Sequence, residues 1–198
     1  MKQLLKLTLG GCLAGASISI GAAIYLSCQS KVAGALLFSI GLILVVTYGF
    51  NLYTGMIGYV RSGRELLRAL WAFLANALGC MLSLLMPNGE ASRAAELWQG
   101  KLENGLLTVF VRAVVCGVLI FACVNYAKKH DGVAALAYIV LAVAAFILCG
   151  AEHSVADICF LFAARAFSLQ SALFILVVAA GNAVGSLVLS FWEERTKK

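Results

Sequence analysis

From Val32 to Val60 the chain carries no charged residue, yet the second half of that run does not read as a continuation of the first. A single helix over the whole run would be about 43 Å long at the α-helical rise, whereas a bilayer's hydrocarbon core is about 30 Å thick. Within it, Phe38 to Met56 reads FSIGLILVVTYGFNLYTGM, and Gly49, Asn51, Thr54, Gly55 and Gly58 fall within ten residues. These residues loosen the backbone or compete for its hydrogen bonds. The pattern predicts a helix that breaks near Gly49. Irregular backbone at membrane depth is tolerated only where protein buries it or where it lines a watery cavity, so a break there points to a transport path. A long, tilted helix with packing glycines is the alternative.

The composition places that run in a membrane protein. Of 198 residues, 63% are hydrophobic and 12% charged, with one proline, which is more apolar surface than a core of this size hides. Six candidate spans follow: Leu7–Ser30, Val32–Val60, Ala69–Gly89, Asn104–Ala127 (interrupted by Arg112), Gly132–Ala151 and Ala166–Trp192. The start MKQLLK has a signal-peptide flavour, but its apolar run is too long for one and is kept as span one. Between spans three and four, Glu90 to Glu103 is polar and predicts a short surface helix.

Basic residues set the expected orientation. Lys2, Lys6, Arg61, Arg64, Arg68, Lys128, Lys129, Arg195, Lys197 and Lys198 fall on one side, leaving Lys31, Arg93, Lys101 and Arg165 on the other. Both termini are therefore expected in the cytoplasm of a multi-pass protein of the inner (plasma) membrane. The net charge of +6 is mostly this bias, and no soluble basic domain is present for a nucleic acid. Seven cysteines lie scattered in or beside apolar runs, and the two histidines stand apart, so neither a metal site nor another cofactor is expected.

The anomaly of span two recurs in span five. The stretch between Asp131 and Arg165 would run about 50 Å as one helix. Its second half reads Gly150-Ala-Glu152-His153-Ser154-Val-Ala-Asp157, with three ionisable groups in six residues. Such groups are costly at membrane depth unless they face protein or water. Span six then carries Gly181-Asn182-Ala-Val-Gly185, which repeats the N-A-x-G pattern of Asn76-Ala-Leu-Gly79 in span three. The expected fold is all-α and integral to the membrane. It has six transmembrane helices as an inverted 3+3 repeat with broken second and fifth helices, in one domain over residues 1–198 with halves of about 1–89 and 101–192.

These residues carry a resemblance. FSIGLILVVTYGFNLYTG resembles the broken second helix of the formate/nitrite transporter family, and GAEHSVADI resembles its fifth-helix loop, usually written GFEHSxAN. GNAVGS resembles the GNxxGG of its sixth. The resemblance implies an aquaporin-like homopentamer in the lipid bilayer, each protomer with its own pore for small monovalent anions such as formate, nitrite or hydrosulfide.

It further implies that Thr54 and His153 face each other at the pore centre, supported by loop residues Asn51, Glu152 and Asp157. Leu42, Leu52 and Tyr53 match the cytoplasmic constriction, and Phe38 and Phe146 the outer one. Phe121, standing where relatives often carry asparagine in the fourth helix, is grouped with the outer constriction. Lys101 lies about one turn from the family's vestibule lysine and is the candidate for its role. Arg112 is a second candidate for gathering anions, with snorkelling or pairing to Glu103 as alternatives. Asp157 departs from the usual asparagine. Without the family, core packing is the reading of the constriction residues, and a buried structural imidazole that of His153.

The mechanism expected is passage as the neutral acid, with His153 as the titrating partner of anion and proton, because imidazole titrates nearest neutral pH. An enzyme is not expected, since beyond Glu152, His153 and Asp157 the chain offers no catalytic set. A membrane enzyme built on that loop, or a non-conducting scaffold, are the rival readings.

Overall fold

The computed structural model describes residues 1–196 and is all helical in that range. Lys197 and Lys198, counted above with the cytoplasmic charges, lie outside the described residues. The helices are α1 (Lys2–Ser27), α2 (Lys31–Thr47), α3 (Tyr53–Met56), α4 (Gly63–Cys80), α5 (Asn88–Leu102), α6 (Leu106–Ala127), α7 (Val133–Leu148), α8 (Ser154–Ala164) and α9 (Leu169–Thr196). Short 3₁₀ turns extend α3 through Tyr59 and α4 through Leu85.

Four helices, α1, α4 with its extension, α6 and α9, are long and apolar enough to cross a membrane. Their outward faces carry exposed leucines and valines such as Leu9, Leu74, Val111 and Leu176, which suits a lipid surround. Shorter apolar helices are α2, α7 and α8; α2 and α7 each give way to a break and a second helical piece, α3 and α8 respectively.

Both breaks fall where composition predicted them, and they are built alike. After α2 the N–H of Gly49 bonds Val46 O and that of Phe50 bonds Val45 O; after α7 Gly150 bonds Ile147 O and Ala151 bonds Phe146 O. This is the left-handed helix ending that favours glycine, with φ of +65° at Gly49 and +72° at Gly150. The unwound strand is then pinned to a neighbouring helix, Asn51 N–H to Gly10 O (3.1 Å) and Glu152 N–H to Arg112 O (3.4 Å).

Helix pairing follows the small residues. α1 packs on α2 and α4, α6 packs on α7 and α9, and α2 meets α7 between the two groups. The α1–α4 crossing is close because Gly79 has no side chain: a Cβ there would lie 1.9 Å from Cys12 O. Gly185 does the same for α6 and α9, where a Cβ would lie 2.1 Å from Val114 O. The two N-A-x-G motifs thus mark equivalent helix contacts.

The segment 90–103 corrects the sequence reading in one respect. It is a helix, but not simply a surface one: Ala94, Trp98 and Lys101 share a face at helical spacing, and α5 packs that face on α8. Trp98 is 1% exposed and donates to Ser171 Oγ of α9 (3.1 Å).

Candidate functional site

Two broken helices leave unpaired backbone groups that need partners away from water. Two asparagines provide them. Asn76 Oδ1 accepts the N–H of Tyr53 (2.9 Å), and its Nδ2 donates to Gly11 O (2.9 Å) and Asn51 O (2.8 Å). Asn182 repeats the set: Oδ1 accepts from Ser154 N–H (2.9 Å), and Nδ2 donates to Ala113 O and Glu152 O (both 2.8 Å). Each amide thereby ties together a break, the helix that follows it and the crossing helix. The sequence signalled these asparagines through the repeated motif, without indicating their task.

The second pieces, α3 and α8, start at these pins, and their first residues meet. Thr54 Oγ1 lies 3.0 Å from His153 Nε2, with Thr54 fully buried and His153 3% exposed. His153 is also the N-cap of α8, its Nδ1 accepting the N–H of Ala156 (3.1 Å). An N–H directed at Nδ1 requires a lone pair there, so the neutral ring carries its proton on Nε2 and donates it to Thr54. A second proton would have to displace the cap. This alters the role expected of His153: its free edge is a hydrogen-bond donor, and its basic nitrogen is already engaged.

A cavity of about 620 Å³ reaches His153 of this pair and is lined by Phe38, Phe146, His153, Lys101, Arg112, Glu152 and Asp157 among others. Phe146 stacks on the His153 ring at 5.7 Å, and Phe38 meets Phe146 edge-on at 6.1 Å. Phe38 and Phe146 therefore stand together beside His153. Phe160, which sequence reasoning missed, lines the same cavity and lies 6.4 Å from Phe38. It shares a helical stripe with His153, Ala156 and Asp157, and that spacing was the available signal.

Phe121 is a correction. Its ring packs against Gly58 and lies 5.1 Å from the ring of Tyr59, so it belongs with the segment after α3 and not with Phe38 and Phe146. Gly58 explains why: a Cβ there would meet the Phe121 ring at 2.3 Å, so the missing side chain makes its seat.

A second cavity of about 210 Å³ lies toward that segment, lined by Val45, Asn51, Leu52, Gly55, Val124 and Lys128 among others. Leu52 forms part of its wall. Leu42 and Tyr53 line neither cavity and are buried in the core. Tyr53 is held by its hydroxyl, which donates to Ala179 O (3.1 Å), and by the Phe73 ring at 4.8 Å.

The charged residues divide into a paired set and an open one. Lys101 Nζ sits between Glu152 Oε2, in a very short contact, and Asp157 Oδ1 at 2.9 Å. Burial works against the ammonium, but the Asp157 and Glu152 carboxylates outweigh it and raise the Lys101 pKa, so the group is cationic throughout the physiological range. Arg112 donates from Nη1 to Asn104 Oδ1 (3.1 Å) and lines the cavity; among the described residues no ion pair holds it, so the pairing with Glu103 is not made. Glu152, placed by the resemblance among the supporting loop residues, turns its side chain to Lys101.

Comparison with known proteins agrees with this architecture. The family profile described as formate/nitrite transporter matches residues 1–192. The formate channel FocA of Escherichia coli (strain K12) is 28% identical over an alignment 148 residues long, which covers 65% of this chain and 52% of the relative. FocA of Escherichia coli O157:H7 matches to the same extent. The chain thus spans about half the length of the curated relatives it matches. A solved structure described as an FNT family ion channel superposes with a TM-score of 0.85 at 22% identity, covering 96% of this chain and 90% of that one. A pentameric formate channel with formate bound gives 0.83 at 21%, covering 99% and 98%. At these identities the likeness shows the fold.

Proposed function

The chain belongs to the formate/nitrite transporter family and is a multi-pass membrane protein, and from that premise we propose that it conducts small monovalent anions of weak acids, with formate the first substrate to test and nitrite and hydrosulfide as alternatives. The observation that carries the reading is the Thr54–His153 contact at 3.0 Å, enclosed where the two broken helices meet. The pair is buried, His153 borders the larger cavity, and hydroxyl and imidazole N–H together suit a small oxyanion or hydrosulfide.

Arg112 in the larger cavity and Lys128 in the smaller raise the local anion concentration. Beyond them lie apolar barriers. Phe38 and Phe146 stand on one side of the pair, and Leu42, Leu52 and Tyr53 are assigned to the other. An unpaired anion in such a slit bears a desolvation cost of several kcal/mol, on the order of the effective penalties known for buried ions. A neutral acid avoids most of it, so the anion is proposed to take up a proton before it crosses.

The repeated break geometry and the repeated asparagine pins support an inverted 3+3 arrangement of six spans, and the charge bias supports placing both termini in the cytoplasm. A homopentamer with a pore in each protomer is the proposed assembly, by analogy with the pentameric formate channel that shares the fold. Native mass spectrometry of the detergent-solubilised protein giving only a monomer contradicts the assembly.

The function is tested with purified protein in liposomes, measuring uptake of formate, nitrite, hydrosulfide and acetate from one mixture. The three small anions should enter and acetate should lag. Vesicles no more permeable than protein-free controls would return the chain to the scaffold reading.

A further inference from the structure

The Thr54–His153 pair leaves one question open, namely the source of the proton, because the basic nitrogen of His153 is committed to Ala156 N–H. A second set of titratable groups lies beside it. Of the nine acidic residues in the chain, only Glu152 and Asp157 are buried, at 3% and 1% exposed, and both close on the single ammonium of Lys101.

We propose that Glu152 and Asp157 hold one proton between them at neutral pH, and that this shared proton is the one an entering weak-acid anion takes up in the larger cavity. The inference deepens the channel reading and rests on it.

Charge balance is the first argument. Two buried carboxylates against one ammonium leave a net negative charge away from water, a state that close carboxylates relieve by sharing a proton. The other charged groups of the cavity do not supply the missing cation. Arg112 on α6 bonds to Asn104, and Arg93 on α5 is spent on Leu26 O and Cys28 O. Lys31 on α2 and Glu96 on α5 line the cavity without an ion pair to either carboxyl among the described residues. Tyr25 on α1 and Cys116 on α6 are the remaining neighbours with an ionisable side chain, and neither side chain can carry a positive charge.

Hydrogen bonding is the second argument. Asp157 Oδ1 meets Lys101, while Asp157 Oδ2 is buried with no partner in the protein. A carboxylate oxygen in that state is costly, whereas a protonated Oδ2 is a donor on a residue that lines the anion's cavity. The step balances simply. The carboxyl O–H bond breaks, the anion gains that proton and becomes the neutral acid, and the two carboxylates left on Lys101 recover a proton from water. Asparagine at position 157, the residue the family pattern favours, has no proton to offer in this way.

The test is infrared difference spectroscopy of the intact protein in lipid, read together with formate flux. Wild type at neutral pH should show the carbonyl stretch of a protonated carboxylic acid, shifted in D2O, and both Asp157→Asn and Glu152→Gln should remove it. Asp157→Asn should slow formate uptake by about tenfold or more, as loss of a general acid does, and flatten its dependence on the pH of the supplying side. If wild type conducts formate but lacks the band, the shared proton is overturned and the channel stands. A band that persists in Asp157→Asn overturns it equally. If the wild type shows the band and no flux, the channel reading falls, and with it the use proposed for the proton. The wild-type band needs no variant, so a poorly folding substitution does not spare the proposal.

Discussion

The imidazole of His153 accepts the N–H of Ala156 through Nδ1 at 3.1 Å, which leaves its proton on Nε2, directed at Thr54. One side chain therefore does two things, capping α8 and presenting a donor to Thr54 at the wall of the larger cavity. Substitutions separate the two.

His153→Asn keeps a competent N-cap and removes the Nε2–H. Its thermal midpoint in detergent should stay near that of wild type, while formate flux falls. Its pH dependence should persist, because the proton is assigned to Glu152 and Asp157. His153→Ala loses the cap as well and should cost a further 1 kcal/mol or so. A pH dependence abolished by His153→Asn returns the titrating role to the histidine.

Asn76 and Asn182 make matching sets of three bonds, so alanine at either should destabilise by a similar amount. Each change strands several buried backbone groups at roughly 1–3 kcal/mol apiece, and neither residue lines a cavity. Unfolding in a denaturing detergent series should therefore show a loss of at least about 3 kcal/mol for each. A large loss for one and none for the other would mean the two breaks are not equivalent supports.

Lys101 carries a pKa raised by Asp157 and Glu152 against the opposing effect of burial. For a cation with a raised folded pKa, the stabilisation is fully present below the unfolded pKa and is lost only as pH climbs through the folded one. Lys101 therefore adds no pH dependence to stability between pH 5 and 9. Lys101→Met, by contrast, removes the partner of two buried carboxyls and should cost about 3–5 kcal/mol. Combining it with Asp157→Asn should recover part of that loss. Additive losses would show that the three groups are not coupled.

Leu52 walls the smaller cavity, while Leu42 is buried and lines neither cavity. Leu52→Ala should admit acetate in the mixed-anion assay. Leu42→Ala should chiefly cost stability, about 2–5 kcal/mol, and its effect on selectivity should be smaller. Unchanged selectivity in both would make the pair ordinary core.

The breaks after α2 and α7 were legible because Gly49 and Gly150 interrupt runs too long for one span, with polar residues following each. Thr54 and His153 came from motif resemblance, and the structure brings them into contact. Three features were not legible. The face of α5 that docks Lys101 between Glu152 and Asp157 reads as a polar surface helix, because its mean hydropathy is low and only Ala94 and Trp98 betray a buried side. Phe121 shifted because its seat depends on Gly58, a long-range fit that spacing does not encode. The Nδ1 bond of His153 depends on the local turn that starts α8, so residue identity alone left the imidazole free to titrate.

Passage of the anion as its neutral acid is open to direct measurement. Wild-type protein in liposomes should be given an inward formate gradient while internal pH and membrane current are recorded together. Protons should enter with formate, net current should stay small, and a potential of 100 mV, worth about 2.3 kcal/mol to a moving unit charge, should barely change the rate. Formate uptake that carries current, follows the potential and leaves internal pH unchanged would contradict it.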